Sequence, residues 1–149
     1  MSAAVAERDA RAEFADSFAE GWAIGATDPQ RFFEHFEARV APDVVMVQPL
    51  ARDLRGPGAL RELFEPLFAA LPDLTGRVVR WGPTDTGVIV ELELRSAATG
   101  VAWTTLDVID LRDGVIARRE AHFDPLPLLF QILRRPRVAA KLLPTLVKR

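Results

Sequence analysis

A single carboxylate among apolar neighbours is the feature of this 149-residue sequence that could best do chemistry. Residues 101–111 predict a β-strand, in which alternate side chains share a face, so Asp107 lies with Trp103, Thr105 and Ile109. An acid in such surroundings is costly to ionise unless a partner compensates for the lost water. We therefore expect Asp107 to act as a hydrogen-bond donor or as a general acid or base.

A cation on the last predicted strand could complete this site. Alternation places Ala117, Arg119, Ala121 and Phe123 on the face that looks toward Asp107. Arg119 could pair with Asp107 for purely structural reasons, bind an oxygen of a ligand, or do both. A roomy cavity with an unpaired Asp107 would favour an enzyme, whereas a filled core with a closed ion pair would favour a binding module.

Other side chains are expected to line a ligand pocket beside this pair. Gln48 follows a short β-rich run, and its amide can orient a carbonyl group or a water molecule but cannot act as a base. The alternative for Gln48 is a hydrogen bond to the local backbone near Pro49. The apolar residues expected in the pocket wall, for which plain core is the alternative, are Met46, Trp103, Phe18, Trp22 and Phe123.

The remaining polar residues and the composition limit the classes of site. His122 is expected on the outer face of the sheet, His35 in a structural role near a helix end, and Asp124 as a helix cap. The chain has no cysteine and only these two histidines, so we expect neither disulfides nor a metal site. No glycine-rich phosphate-binding motif is present, and no cofactor is expected.

The elements that must position these residues come in the order helices, then strands. Phe14, Phe18 and Trp22 recur at helical spacing over residues 7–27. The later β-rich runs are joined by short turns, which indicates antiparallel pairing. The sequence thus predicts one α+β domain over residues 1–149, with N-terminal helices packed in a strongly curved antiparallel sheet. The other predicted elements are helices over 28–36 and after Gly56-Pro57-Gly58, a strand over 44–48, strands over 77–81, 87–96, 101–111 and 115–123, and a helical tail over 125–149.

The C-terminal tail differs from the rest of the chain in charge. Residues 125–149 hold six of the 19 basic residues and none of the 21 acidic ones. Such a tail could lie on a membrane surface or on nucleic acid, but a terminal helix packed on the acidic body is the expected arrangement. We expect no membrane span, no nucleic-acid partner and a cytoplasmic location.

In the order of these features, the sequence resembles the nuclear-transport-factor-two-like superfamily. This superfamily includes ketosteroid isomerase, limonene-epoxide hydrolase and the SnoaL-type polyketide cyclases, and the hydrophobic tail after Asp124 is most similar to the SnoaL-like group. The resemblance implies a cystatin-like α+β cone round a deep apolar pocket, a small ligand of polyketide, steroid or terpenoid type, and a homodimer through the outer face of the sheet. The segments that carry it are the Phe18/Trp22 helix, Ala41-Pro42-Asp43, Gly56-Pro57-Gly58, Asp113-Gly114-Val115-Ile116, and Phe123-Asp124 with Leu128-Leu129.

Few functional residues of the superfamily carry over to this chain. The tyrosine donor and the aspartate base of ketosteroid isomerase correspond to Phe18 and Gln48, and the aspartate that the hydrolase and the cyclases use corresponds to Ala121. Only the second acid of ketosteroid isomerase is retained, as Asp107. The resemblance therefore implies a cofactor-free isomerase, cyclase or epoxide hydrolase that uses acid/base chemistry, or else a non-catalytic ligand-binding or assembly module of the same fold.

Overall fold

Helices precede most of the sheet, as the sequence predicts. The computed structural model describes residues 2–147 and has the predicted α+β architecture. Its helices and strands, in chain order, are α1 (Ala3–Ile24), α2 (Pro29–Glu37), β1 (Val40–Val47), β2 (Leu54–Arg55), α3 (Ala59–Ala70), β3 (Thr75–Pro83), β4 (Gly87–Ser96), β5 (Val101–Arg112), β6 (Val115–His122), α4 (Pro125–Leu133) and α5 (Pro136–Val147), with a 3₁₀ turn at Gly25–Thr27. Among residues 2–147, no helix has both the length and the apolar composition that crossing a bilayer requires.

Two helices begin at aspartate caps. The carboxylate of Asp28 accepts a hydrogen bond from the backbone N–H of Arg31, at 3.2 Å, and Pro29 occupies the first helical position of α2. Asp124 accepts in the same way from the N–H of Leu126, at 3.0 Å, and starts α4. The capping role expected for Asp124 is confirmed.

The six strands form one open sheet in the order β2-β1-β6-β5-β4-β3. The four consecutive strands β3 to β6 pair antiparallel, as predicted. Strand β1 instead joins β6 in parallel, so the sheet is mixed and not wholly antiparallel. A parallel pair needs a long connection, and α3 and four strands, β2 to β5, separate β1 from β6 along the chain. At the β5–β6 hairpin, Asp113 (φ 54°) and Gly114 (φ 79°) both adopt the left-handed backbone that a type I′ turn needs.

A β-bulge in β6 changes which side chains point inward. Asp110 pairs with Arg118 and Leu111 with Ile116, so Ala117 has no partner in the ladder between β5 and β6. The buried residue at this point of β6 is therefore Ile116, and the inward position expected for Ala117 is wrong. Beyond the bulge the predicted alternation holds, and Arg119 and Ala121 are buried.

An aromatic cluster fills the space between the helices and the inner face of the sheet, which is the face of Val88, Val90 and Leu92. Neighbouring ring centroids in this cluster lie 4.8 to 6.3 Å apart, a spacing typical of packed aromatic pairs. Gly21 lets α1 approach α2 closely, because a Cβ there would lie only 2.5 Å from the Phe36 ring. The members of the cluster are Phe18, Trp22, Phe32, Phe36, Phe64 and Phe68.

Candidate functional site

Asp107 and Arg119 form a closed ion pair on the inner face of the sheet. Strands β5 and β6 are adjacent, and Arg119 is paired in the ladder with Ile109, two residues from Asp107. The Nε of Arg119 donates to Oδ2 of Asp107 at 2.9 Å, and the hydroxyl of Thr105 donates to Oδ1 at 3.0 Å. The side chain of Asp107 is fully buried and that of Arg119 is 8% exposed. Both oxygens of the carboxylate therefore already have a hydrogen-bond donor.

Arg119 also lines a cavity. The Cζ atom of the Arg119 guanidinium lies 5.6 Å from the centroid of the Phe64 ring, within the range of a cation–π contact. Because Nε is directed at Asp107, the two terminal nitrogens, Nη1 and Nη2, are what Arg119 can offer to the cavity. Neither has a hydrogen-bond partner within the described part of the chain, residues 2–147.

The cavity has a volume of about 480 Å³, within the usual size range of small-molecule sites. It lies between the inner face of the sheet, helix α3, the loop after β1, and the C-terminal helices α4 and α5. Its wall is mostly apolar, which strengthens any hydrogen bond or charge interaction made inside it. Apolar side chains that line it include Leu94, Trp103, Phe123, Leu128, Ile132 and Leu142.

Five of the eight residues predicted for the site line this cavity: Trp22, Gln48, Trp103, Arg119 and Phe123. The other three are Phe18, Met46 and Asp107. Phe18 and Met46 are almost fully buried members of the core, so the plain-core alternative describes where they lie. Asp107 is fully buried and is not part of the lining, although Arg119 and Thr105, which bond to its carboxylate, are.

Gln48 lines the cavity and has an amide oxygen without a hydrogen-bond donor in the described part of the chain. Its Oε1 is buried and has no hydrogen-bond partner among residues 2–147. Its Nε2 donates at 3.4 Å to the backbone carbonyl of Arg52, which is the hydrogen bond to the local backbone expected as the alternative. Met46 is paired with Arg119, so Gln48 lies roughly 7 Å further along the same face. An acceptor and a cationic donor thus share one wall.

The sequence did not identify Thr105 and Phe64 as parts of the site. Alternation had placed Thr105 on the face of Asp107, and that shared face was the signal for its hydrogen bond to the carboxylate. Phe64 lay on the apolar side of a predicted helix, but which ring would reach Arg119 depends on how α3 crosses the sheet. No local pattern carries that information.

The acids that line the cavity are engaged elsewhere. Within residues 2–147 these acids are Glu62, 2.7 Å from Arg52, and Glu65, 3.3 Å from Arg61, and both are exposed. The described residues contain no group of three metal-ligating side chains. Apart from these ion pairs and two threonine hydroxyls, the described part of the lining offers hydrogen bonding and positive charge from Arg119, with Gln48 as an acceptor.

Both histidines lie where the sequence predicted, away from the cavity. The Nε2 of His35 lies 2.7 Å from the backbone oxygen of Ser17, which joins α2 to α1. His122 is exposed on the outer face, and its Nε2 lies 3.4 Å from Glu120.

Comparison with known proteins identifies the family. Residues 15–119 match the SnoaL-like domain family. No curated protein matches the sequence significantly. Many solved structures share the fold, at sequence identities too low to transfer an activity.

Three of these structures illustrate the range of similar proteins. A candidate SnoaL-like polyketide cyclase from Jannaschia sp. CCS1 has a TM-score of 0.69 at 18% identity, covering 83% of this chain and 92% of that one. An epoxide hydrolase from M. tuberculosis, described as similar to limonene-epoxide hydrolase, has a TM-score of 0.61 at 19% identity, covering 93% and 94%. TerC, co-crystallised with polyporic acid, has a TM-score of 0.62 at 19% identity, covering 79% and 96%.

Proposed function

The chain belongs to the SnoaL-like domain family, and from that premise we propose that its cavity binds a small, largely apolar molecule through an oxygen atom. The observation that carries this proposal is the state of Arg119, a residue of the cavity lining whose Nε is held by Asp107 while Nη1 and Nη2 have no hydrogen-bond partner among residues 2–147. The ligand oxygen that accepts hydrogen bonds from Arg119 is either charged, as in a carboxylate, or becomes charged during a reaction.

Asp107 supports this function as a positioning residue. It fixes the plane of the guanidinium through Nε, and Thr105 in turn fixes the carboxylate. A donor that is already oriented needs no reorganisation when the ligand arrives, and in an apolar cavity its interaction with negative charge is strong. The proton transfer predicted for Asp107 would first require the carboxylate to leave the N–H of Arg119.

The walls of the cavity and the similar structures suggest the class of ligand. Most of the lining is aromatic or aliphatic, and Arg119 and Gln48 contribute polar atoms that have no hydrogen-bond partner among residues 2–147. TerC was co-crystallised with polyporic acid, which by its name is an acid. We propose a ligand of polyketide, steroid or terpenoid type with an acidic or carbonyl oxygen for Arg119, together with a group that donates a hydrogen bond to Gln48.

A second candidate function is catalysis within the same cavity. It is favoured by the two terminal nitrogens of Arg119, which could stabilise an enolate or another oxyanion as negative charge develops. The reaction would be an isomerisation, a cyclisation or the hydration of an epoxide, with Gln48 orienting the substrate. Binding without turnover is the better supported function, because the acids of the cavity lining within residues 2–147 are already paired.

Paired ligands that differ only in charge test the role of Arg119. We expect wild type to bind 2-naphthoic acid more tightly than its methyl ester in isothermal titration calorimetry. A charged hydrogen bond contributes about 1.5–3 kcal/mol, so the R119M variant should lose about 10-fold to 100-fold in affinity for the acid and little for the ester. R95Q, a change at an exposed arginine of β4, is the matched control.

A second variant separates the effect of the charge of Arg119 from the effect of the space in the cavity. A121L narrows the cavity at the residue opposite Asp107 and removes neither charge, so it should weaken the binding of the acid and of the ester alike. Equal affinity of wild type for the acid and the ester would contradict the proposal. So would an unchanged preference for the acid in R119M.

The homodimer and the cytoplasmic location stay predictions. Three exposed apolar side chains on the outer face of the sheet, Val79, Ile89 and Leu106, are consistent with an interface there. Light scattering at micromolar concentration would contradict the dimer if it returned the mass of a single chain.

A further inference from the structure

Helix α4 is apolar on both sides, although only one side packs against the protein. Leu128 and Ile132 are buried in the wall of the cavity. Leu126, Phe130 and Leu133 are 58%, 57% and 56% exposed, and their spacing of four and three residues places them on one helical face. We call these three residues the α4 strip. Large apolar side chains exposed together indicate a surface that is covered by a partner.

The α4 strip sits on a helix that is firmly attached to the sheet. Strand β5 extends beyond the end of β6, and the amide of Gln131 bonds to this free edge in the way a strand would. Its Nε2 donates to the carbonyl of Ala102 at 2.8 Å and its Oε1 accepts from the N–H of Ala102 at 2.9 Å. Arg135 adds a hydrogen bond from Nε to the carbonyl of Thr99, at 2.5 Å. The exposure of the strip is therefore a property of a fixed helix.

Uncompensated cations follow the α4 strip directly. Arg134, Arg137 and Lys141 are exposed, and none of them forms an ion pair with a carboxylate in residues 2–147. No acidic residue occurs after Asp124 in the sequence, whereas all 21 acids lie before that point or at it. The charge is thus unevenly distributed along the chain, and the α4 strip lies in its acid-free C-terminal segment.

We propose that the α4 strip and the cations Arg134, Arg137 and Lys141 dock this protein on the surface of an anionic lipid bilayer. Phe and Leu side chains of an interfacial helix enter the boundary between headgroups and acyl chains, while Lys and Arg approach the lipid phosphates. The acidic remainder of the chain is repelled by the same surface, which orients the molecule with its C-terminal helices toward the lipid.

The cations and the apolar side chains together favour an anionic bilayer over two other partners, a second copy of this chain and nucleic acid. In a two-fold symmetric dimer through the strip, each copy would bring its own unpaired cations to the same interface, where they would repel one another. Nucleic acid would satisfy the cations but would leave three large apolar side chains without a partner. An anionic bilayer satisfies both kinds of side chain at once.

Flotation with lipid vesicles tests the proposal. We expect the full chain to float with vesicles of phosphatidylcholine containing phosphatidylglycerol and not with pure phosphatidylcholine, and we expect high salt to weaken this binding. Each cation near an anionic surface contributes roughly fivefold, so R134Q/R137Q/K141Q should bind about 100-fold more weakly. L126S/F130S/L133S should also lose binding, because it removes the inserted side chains.

A matched control keeps the change in net charge the same. R31Q/R55Q/R95Q also removes three exposed arginines, from α2, β2 and β4, and should float like wild type. Three results would overturn the proposal: no flotation with anionic vesicles, equal loss in both triple charge variants, or a lower molecular mass of L126S/F130S/L133S by light scattering. The last result would instead identify the strip as an interface between copies of this chain.

Discussion

The two faces of the sheet carry the same kind of interaction in opposite surroundings. On the inner face, Arg119 and Asp107 pair across adjacent strands at 2.9 Å, with side chains 8% and 0% exposed. On the outer face, Arg77 and Glu93 pair across adjacent strands at 2.6 Å, with side chains 70% and 47% exposed. The outer pair has the shorter distance, so distance alone does not determine which pair is more costly to break. The difference in burial determines it.

Burial changes both the strength of a pair and the cost of breaking it. Water screens the charges of the outer pair, and the two long side chains lose entropy when they are held together, so exposed pairs contribute at most about 1 kcal/mol. Inside, the attraction is stronger, but each charge has also given up its water. Removal of one inner partner therefore leaves the other as an uncompensated buried charge. The inner pair is more costly to break than its net contribution to folding suggests.

The largest expected effect comes from breaking the inner pair on one side. We expect D107A to lower the free energy of unfolding by about 3 kcal/mol, because Arg119 loses the acceptor of its Nε. This is the low end of the range for buried pairs, since the cavity gives the guanidinium a route to solvent. Urea unfolding followed by circular dichroism measures the change.

Replacement of both inner partners provides the control. D107L/R119M fills the same space with apolar atoms and should recover most of the stability lost in D107A, because no buried charge is left behind. This double variant should still fail to prefer 2-naphthoic acid over its ester. A loss below about 1 kcal/mol in D107A would show that the inner pair behaves like an exposed one, and the contrast between the two faces would then fail.

The position of the inner pair could be predicted because it depends on the regular alternation of two strands. Alternation along β5 placed Asp107 inward, and its continuation along β6 did the same for Arg119. The same rule failed at Ala117, because a bulge inserts one unpaired residue and no local sequence signal marked it. The parallel pairing of β1 with β6 also escaped prediction, since that pair joins segments far apart in the chain.

The division between core and cavity could not be predicted from residue type. Phe18 and Trp22 lie one helical turn apart on the same face of α1, yet Phe18 packs among rings and Trp22 also lines the cavity. Where the core ends depends on how far α3 and α5 stand from the sheet, and this is set by long-range packing. For the same reason, a roomy cavity and a closed ion pair are alternatives as far as the sequence alone can tell. The structure combines them, because Arg119 contacts both.

Asp73 is an intermediate case that sharpens the contrast between the faces. Its half-buried carboxylate accepts hydrogen bonds from the Ser96 hydroxyl at 2.5 Å and from the Ala98 N–H at 2.8 Å. The Ser96 hydrogen bond is the main reason that the pKa of Asp73 lies below its ordinary value of 3.8, and it outweighs the opposing effect of burial. Because the pKa is lower in the folded state, the carboxylate stabilises the fold above the unfolded pKa, and this contribution is lost as the pH falls through the folded pKa.

We expect D73N to lower the free energy of unfolding by about 1 kcal/mol near neutral pH, since the amide has one acceptor oxygen in place of two. The difference from wild type should shrink as the pH is lowered below about 4, because wild type then loses its charged acceptor as well. Urea unfolding at several pH values measures it, with D53N, at an exposed aspartate, as the control. A difference that stays constant with pH would mean that the charge of Asp73 has no part in it.

The smallest effect is expected on the outer face, where E93Q removes the partner of Arg77. The side chain of Arg77 is 70% exposed, so water replaces the lost carboxylate, and we expect a change below about 0.5 kcal/mol in the free energy of unfolding. In about 1 M salt, where the Debye length is about 3 Å, even this change should disappear, whereas the effect of D107A should persist because salt screens a buried pair much less. A loss in E93Q comparable to that in D107A would mean that cross-strand geometry, and not burial, sets the value of an ion pair in this sheet.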